Sequence, residues 1–129
     1  MSEIKDNLRY TENHEWVKLD GNKAVVGITD YAQDSLGEIV YVELPETDDE
    51  FSRGEEAASI ESVKAAAPVY AAMGGRIVEV NEELEDAPEK VNEAPYEAFI
   101  YVMEVSNPEE FNELMDSSAY AAFLEENEH

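Results

Sequence analysis

An all-β fold, a small sandwich or barrel with helix confined to one internal stretch and to the carboxyl end, is what the sequence predicts, on three observations. Apolar runs are short, rich in Val, Ile and Tyr, and divided by turn signals such as Asp20-Gly21, Arg53-Gly54 and Met73-Gly74-Gly75. Helical signals turn up at two main places, residues 29–37 and beyond Asn107. The chain has 129 residues, 43% of them hydrophobic, which is material for one ordinary core and hardly for two. Residues 1–129 are therefore read as a single domain, with 107–126 as its carboxyl-terminal helical segment.

Trp16 and Lys18 alternate with Val17 and Leu19, predicting a first strand. Asp20-Gly21 predicts a type I′ reversal into a partner strand over 23–28. Asp30 with Gln33 three residues on predicts a capped helix, closed by Gly37 in a left-handed position. Two helical turns do not stand alone in water, so Ala32 and Leu36 are expected to pack on a sheet. Residues 39–44 are β-branched and aromatic, the strongest strand signal in the chain, ended by Pro45.

A charged turn over 46–50 leads to Phe51, and Arg53-Gly54-Glu55 makes another. Strands are expected at 57–63 and 69–72, with the reversal between them near Lys64. Pro68 lacks an amide donor and its ring pushes Ala67 out of the helical region, so a helix running through is disfavoured. After the Met73-Gly74-Gly75 corner comes a strand over 76–80. Acidic residues 81–92 predict a turn and one helical turn anchored by Leu84 and Val91. Residues 98–105 are apolar enough for burial on both faces.

Asn107-Pro108-Glu109-Glu110 supplies a cap, a proline at the first helical position and acids in the first turn. Phe111, Leu114 and Met115 then share one face, and Tyr120, Phe123 and Leu124 another, with Ser117-Ser118 dividing the two segments.

Composition narrows the function classes. Against 32 acidic residues stand 8 basic ones, a formal charge of −24. Nucleic acid is not an expected partner, because phosphate neutralisation needs clustered Lys and Arg. Such a charge fits a high-salt environment or a redesigned surface. The absence of cysteine excludes disulfides, a thiol nucleophile and a thiolate metal site. His14 has no second His, Cys or acid at ligand spacing and His129 stands at the end of the sequence, so no metal site is expected. No apolar run reads as a signal peptide or a membrane span. A cytoplasmic protein is expected, or one of the mitochondrial matrix from which a transit peptide has been removed. Neither a Gly-rich phosphate loop nor a serine with a positioned base is present, which favours a carrier or binding module over an enzyme.

Lys64 stands out: a single amine at the tip of an expected hairpin, in an anionic field. The residues alone leave two readings open. It is a solvated lysine on an exposed turn, or a primary amine held away from the body for acylation, which converts its charge to an amide.

Glu61-Ser62-Val63-Lys64-Ala65 resembles the lipoylation site of the glycine cleavage system H-protein family. The likeness extends through His14-Glu15-Trp16-Val17, through Gly27-Ile28-Thr29-Asp30-Tyr31-Ala32-Gln33 and through Leu36-Gly37-Glu38-Ile39-Val40-Tyr41-Val42-Glu43-Leu44-Pro45. Val78-Glu79-Val80-Asn81, Val91-Asn92-Glu93, Pro95-Tyr96 and Ser106-Asn107-Pro108-Glu109-Glu110 complete it, in order, over nearly the whole chain. The resemblance implies a flattened β-sandwich or barrel of the lipoyl hammerhead type. It implies lipoate in amide linkage on Lys64, with Glu61, Ser62, Val63 and Ala65 as its sequence context and Glu15 near the bound aminomethyl arm. The partners it implies are a pyridoxal-phosphate glycine decarboxylase, an aminomethyltransferase, a flavin-dependent dihydrolipoyl dehydrogenase and a lipoylating enzyme. A monomeric carrier without catalysis of its own is expected, since the cofactor carries the chemistry.

Three departures qualify the likeness. Ala67-Pro68 replaces a Ser-Asp pair, removing a carboxylate that would help grip the aminomethyl amine. Ala71-Ala72-Met73-Gly74-Gly75 alters the family's Ala-Pro corner, and Glu97-Ala98-Phe99 is a residue shorter, with Phe99 in place of tryptophan. Two alternatives stand beside this reading: an H-like lipoyl carrier serving lipoate relay or another pathway, and an engineered or non-functional H-protein scaffold, which Pro68, the shortened 97–99 segment and the charge of −24 motivate. A biotin carrier fits less well, because Val63 and Ala65 flank the lysine where methionines would be typical.

Overall fold

The computed structural model of the protein describes residues 3–127; Met1, Ser2, Glu128 and His129 lie outside them. Among the described residues nine strands form two antiparallel sheets, with short helices at the margins. The larger sheet has the order β1-β2-β3-β9-β8-β5: β1 (Arg9–Tyr10), β2 (Glu15–Asp20), β3 (Lys23–Ile28), β5 (Glu50–Phe51), β8 (Gly75–Val80) and β9 (Tyr101–Val105). The smaller has the order β4-β6-β7: β4 (Ile39–Glu43), β6 (Glu56–Ser62) and β7 (Ala66–Tyr70).

Period-2 burial explains the main core. Ala24, Val26 and Ile28 on β3 face the same side as Met103 on β9 and Ile77 on β8, and meet Ile39, Val42, Ile60 and Val69 of the smaller sheet. Each fully buried Val, Ile or Met among them contributes about 1.5–3 kcal/mol of transfer free energy. A second cluster of Leu8, Tyr10, Trp16, Tyr120 and Leu124 lies where the last helix, α4 (Ser117–Asn127), covers the β1 end of the large sheet. Phe99 packs against this second cluster.

Several expectations are met with shifted boundaries, for physical reasons. The reversal between β2 and β3 has Gly21 and Asn22 at its centre, and only Gly21 has positive φ, 64°. A type I′ turn needs positive φ at both central residues, so the turn follows the II′ pattern. Helix α1 (Asp30–Leu36) is capped one residue earlier than expected: Thr29 accepts from the Ala32 amide, while Asp30 becomes the first helical residue and accepts from the Gln33 side chain. Gly37, at φ 80°, ends it, and Ala32 and Leu36 pack on the main core.

Pro68 lies inside β7 rather than before it. The outer position of that strand explains how: an edge strand has one side with no ladder bond to lose. The acidic stretch makes two single-turn helices, α2 (Glu83–Asp86) and α3 (Lys90–Glu93), with Leu84 and Val91 buried as anchors. Asn107 caps a 3₁₀ helix, Pro108–Glu113, where an α-helix was expected. The division before α4 comes at Asp116, whose side chain accepts from the Ala119 amide.

Candidate functional site

The β6–β7 hairpin carries Lys64. Glu61 pairs with Ala66, and the chain reverses through Val63, Lys64 and Ala65. Ser62 holds this tip: its Oγ accepts from the amides of Ala65 (3.1 Å) and Lys64 (3.3 Å), and its own amide donates to the Ala65 carbonyl at 2.7 Å. A serine that satisfies two following amides makes the turn without glycine. The Val63 amide donates to the Glu38 carbonyl at 3.0 Å, tying the tip to the residue before β4 as well. Lys64 is therefore exposed on a braced turn.

A Cβ built on Gly37 would lie 3.6 Å from Lys64 Cε, so the lysine stem runs beside the glycine that closes α1. Among the described residues Lys64 Nζ makes no ion pair, although Glu61 is exposed two strand positions from the turn. The amine is accessible and uncommitted. An acyl group as large as lipoate fits such a position.

Glu15 is elsewhere. It opens β2 after a turn in which the His14 amide donates to the Thr11 carbonyl at 3.1 Å and His14 takes φ 67°. Its side chain is buried, 1% exposed, and both carboxylate oxygens accept: Oε1 from the Thr11 hydroxyl at 2.7 Å, Oε2 from the Tyr70 amide at 2.9 Å. Burial pushes the Glu15 carboxyl above its ordinary value, and the two hydrogen bonds oppose that only in part. No cation pairs with it among the described residues.

Tyr70 ends β7, six residues from Lys64, so Glu15 and Lys64 stand ~20 Å apart along the hairpin. Between them β7 shows Ala66 and Pro68 to solvent. Beside Glu15 is an open cleft of about 260 Å³, lined among others by Thr11, Asn13, Arg53, Tyr70 and Ala71. Glu61, Ser62, Val63 and Ala65 gather around Lys64, and Glu15 does not join them. The Thr11 and Tyr70 partners were not singled out in the sequence. Thr11, in the polar turn just before Glu15, was within reach of pattern reading; the Tyr70 amide, 55 positions away, was not.

His14 is structural in its surroundings. Its Nδ1 shares a hydrogen bond with the Tyr120 hydroxyl at 2.9 Å, which also bonds Thr29 Oγ1 at 2.8 Å. Its ring lies against Tyr31 and Phe123. Among the described residues no group of three His, Cys, Asp or Glu is placed to hold a metal. No helix there is long and apolar enough to cross a membrane.

A two-sheet β body with one braced, exposed lysine at a hairpin tip defines a carrier that presents a swinging group. A sequence model of the family described as "Glycine cleavage H-protein" matches residues 8–127. The glycine cleavage system H proteins of two Staphylococcus epidermidis strains are 50% and 49% identical over 124 residues, covering 95% of this chain and 98% of theirs. The crystal structure of a glycine cleavage system H protein from Mycobacterium marinum superposes with a TM-score of 0.84 at 32% identity, over 98% of this chain and 100% of that one. The chain belongs to the glycine cleavage H-protein family. It has the lipoyl hammerhead fold and is a non-catalytic lipoyl carrier that shuttles the aminomethyl group derived from glycine. Membership implies lipoate as cofactor and work within the glycine cleavage multienzyme complex.

Proposed function

We propose that Lys64 is the lipoyl attachment residue, and that Glu61, Ser62, Val63 and Ala65 form the surface that the lipoylating enzyme reads. The observation that carries this is the uncommitted, exposed amine on a turn braced by Ser62. Attachment joins Nζ to the lipoate carboxyl as an amide, with loss of the ammonium charge and departure of the leaving group of the activated acyl. Lipoate, when bound there, would supply a disulfide able to accept the aminomethyl group together with two electrons, and a dithiol that the dehydrogenase would return to the disulfide.

The chain's own residues do the rest. Ser62 fixes the direction in which Lys64 leaves the body. Ala66 and Pro68 give a small-residue track along β7 from the tip towards the cleft. Glu15 accepts two hydrogen bonds and retains lone-pair capacity, so in this reading it accepts a charge-assisted bond from a protonated amine brought to the cleft. Pro68 contributes no such bond, leaving Glu15 to act alone on that side. Cycling between glycine decarboxylase, aminomethyltransferase and dihydrolipoyl dehydrogenase, as one cytoplasmic, monomeric domain spanning 1–129, belongs to the same reading. Tethering gives each encounter a high effective concentration.

The test is intact mass and peptide mapping after incubation with a lipoate–protein ligase, ATP and lipoate. One lipoyl adduct is expected on Lys64, and none on Lys64→Arg, which keeps fold and charge. An adduct on the arginine variant would overturn the assignment.

A further inference from the structure

Among the described residues the exposed large hydrophobics are Val40 (47%), Tyr41 (48%) and Val63 (66%). They are not scattered. Ile39 pairs with Ser62 and Tyr41 with Glu61, so Val40 and Tyr41 lie within two rungs of the hairpin tip that Val63 and Lys64 form. The ladder slips between Ile39 and Tyr41, a bulge that leaves Val40 without a partner on β6. On a regular strand one of two neighbours would face inward; at this slip Val40 and Tyr41 are both exposed, between buried Ile39 and Val42. Bulges re-aim side chains in this way next to functional sites. Exposed Glu38 precedes this stretch of β4, Glu43 follows it and Glu61 pairs across the ladder with Tyr41.

We propose that Val40, Tyr41 and Val63 are the docking face for the enzyme that acylates Lys64, whose matching surface has an apolar centre with cationic groups beside it. This rests on the reading of Lys64 as the attachment residue. Charge and reach select this occupant. An apolar patch flanked by carboxylates is complementary to an apolar centre with cationic groups beside it, and it repels both a second copy of this chain, at −24, and an anionic membrane. The attaching enzyme must also bring its active site to Nζ itself, within one lysine side chain of the backbone. The attaching enzyme meets the root of the arm whatever else it contacts, and a defect seen only with an enzyme that works at the arm's far end is one outcome of the test below. Tyr41 is the anchor, because a half-exposed tyrosine brings large area at low entropic cost.

The test uses the full chain and a purified lipoate–protein ligase. Modification of Lys64 is followed by intact mass against chain concentration, and the dissociation constant for the ligase is measured separately with Lys64→Arg, which binds without turnover. Tyr41→Ala is expected to raise KM on the order of tenfold with kcat held, and to weaken the Lys64→Arg chain in parallel. Val63→Ser, at the tip and outside the ladder, is a second variant without consequence for the strand, and should weaken binding in the same direction. Unchanged KM and Kd in folded Tyr41→Ala and Val63→Ser chains would overturn the docking face. So would a defect confined to kcat, or one that appears with the glycine decarboxylase and leaves the ligase constants unmoved. Absence of an adduct on the wild-type chain is a separate result and removes the reading of Lys64, while the Kd series still decides whether the face binds.

Discussion

Glu15 keeps a carboxylate that is almost wholly buried at the wall of the cleft, where no described cation compensates it. Burial raises its pKa, so the folded chain holds this proton more tightly than the unfolded chain. Linkage fixes the sign: the resulting stability is fully present below the ordinary carboxylate value and fades as pH rises through the raised one. At neutral pH the ionised group is a burden on the fold. Glu15→Gln, which keeps an acceptor for the Tyr70 amide, should therefore raise Tm at pH 7 and give a smaller advantage at pH 4. Thermal melts at the two pH values check this, and a variant less stable at pH 7 would mean that the ionised form is stabilised by contacts beyond Thr11 and Tyr70. His14 acts in the opposite sense, since burial lowers its pKa and protonation on acidification works against the fold.

At the level of elements, the β2–β3 hairpin shows how a single side chain sets a neighbour. Trp16 pairs with Gly27, and a Cβ at Gly27 would come within 2.7 Å of the indole. The ring cannot step aside, because its Nε1 donates to the Pro95 carbonyl at 2.9 Å. Gly27→Ala should cost about 1–3 kcal/mol, as overpacking does in a closed core, measured by urea denaturation. A loss near zero would show that the indole moves. This pairing also marks the limit of what the chain reveals in one dimension. Strands β2, β3 and β4 are legible because alternation and turn residues are local signals. The two-residue strands β1 and β5 are too short to carry a period and exist because β2 and β8 offer them partners. Pro68 reads as a terminator until β7 is known to lie at an edge. At the site, a reversal near Lys64 was legible from Pro68 and the flanking apolar runs, whereas the turn bonds of Ser62 were not singled out and the burial of Glu15 depends on a strand end 55 residues away.

For the whole molecule, the charge of −24 sets how stability responds to the solvent around it. Ion pairs at Lys5, Arg53, Arg76 and Lys90 are exposed and contribute little each, so they do not offset the repulsion. Salt should: the screening length falls from about 10 Å at 0.1 M to about 3 Å at 1 M, shorter than most separations between surface carboxylates. Tm should rise steadily over that range in sodium chloride. A flat or falling Tm would show that the excess charge is already spread widely enough to carry no penalty.

The position of Pro68 has one more consequence. β7 is the outer strand of the sheet that projects Lys64, and every second residue turns its amide to the same side. Tyr70 gives its outward amide to Glu15, and Pro68, two residues before it, has none to give. An incoming peptide strand finds two of the donors it would need already withdrawn. Strand addition along this edge is thereby disfavoured, and a partner that meets the hairpin finds side chains on offer where main-chain donors would otherwise stand.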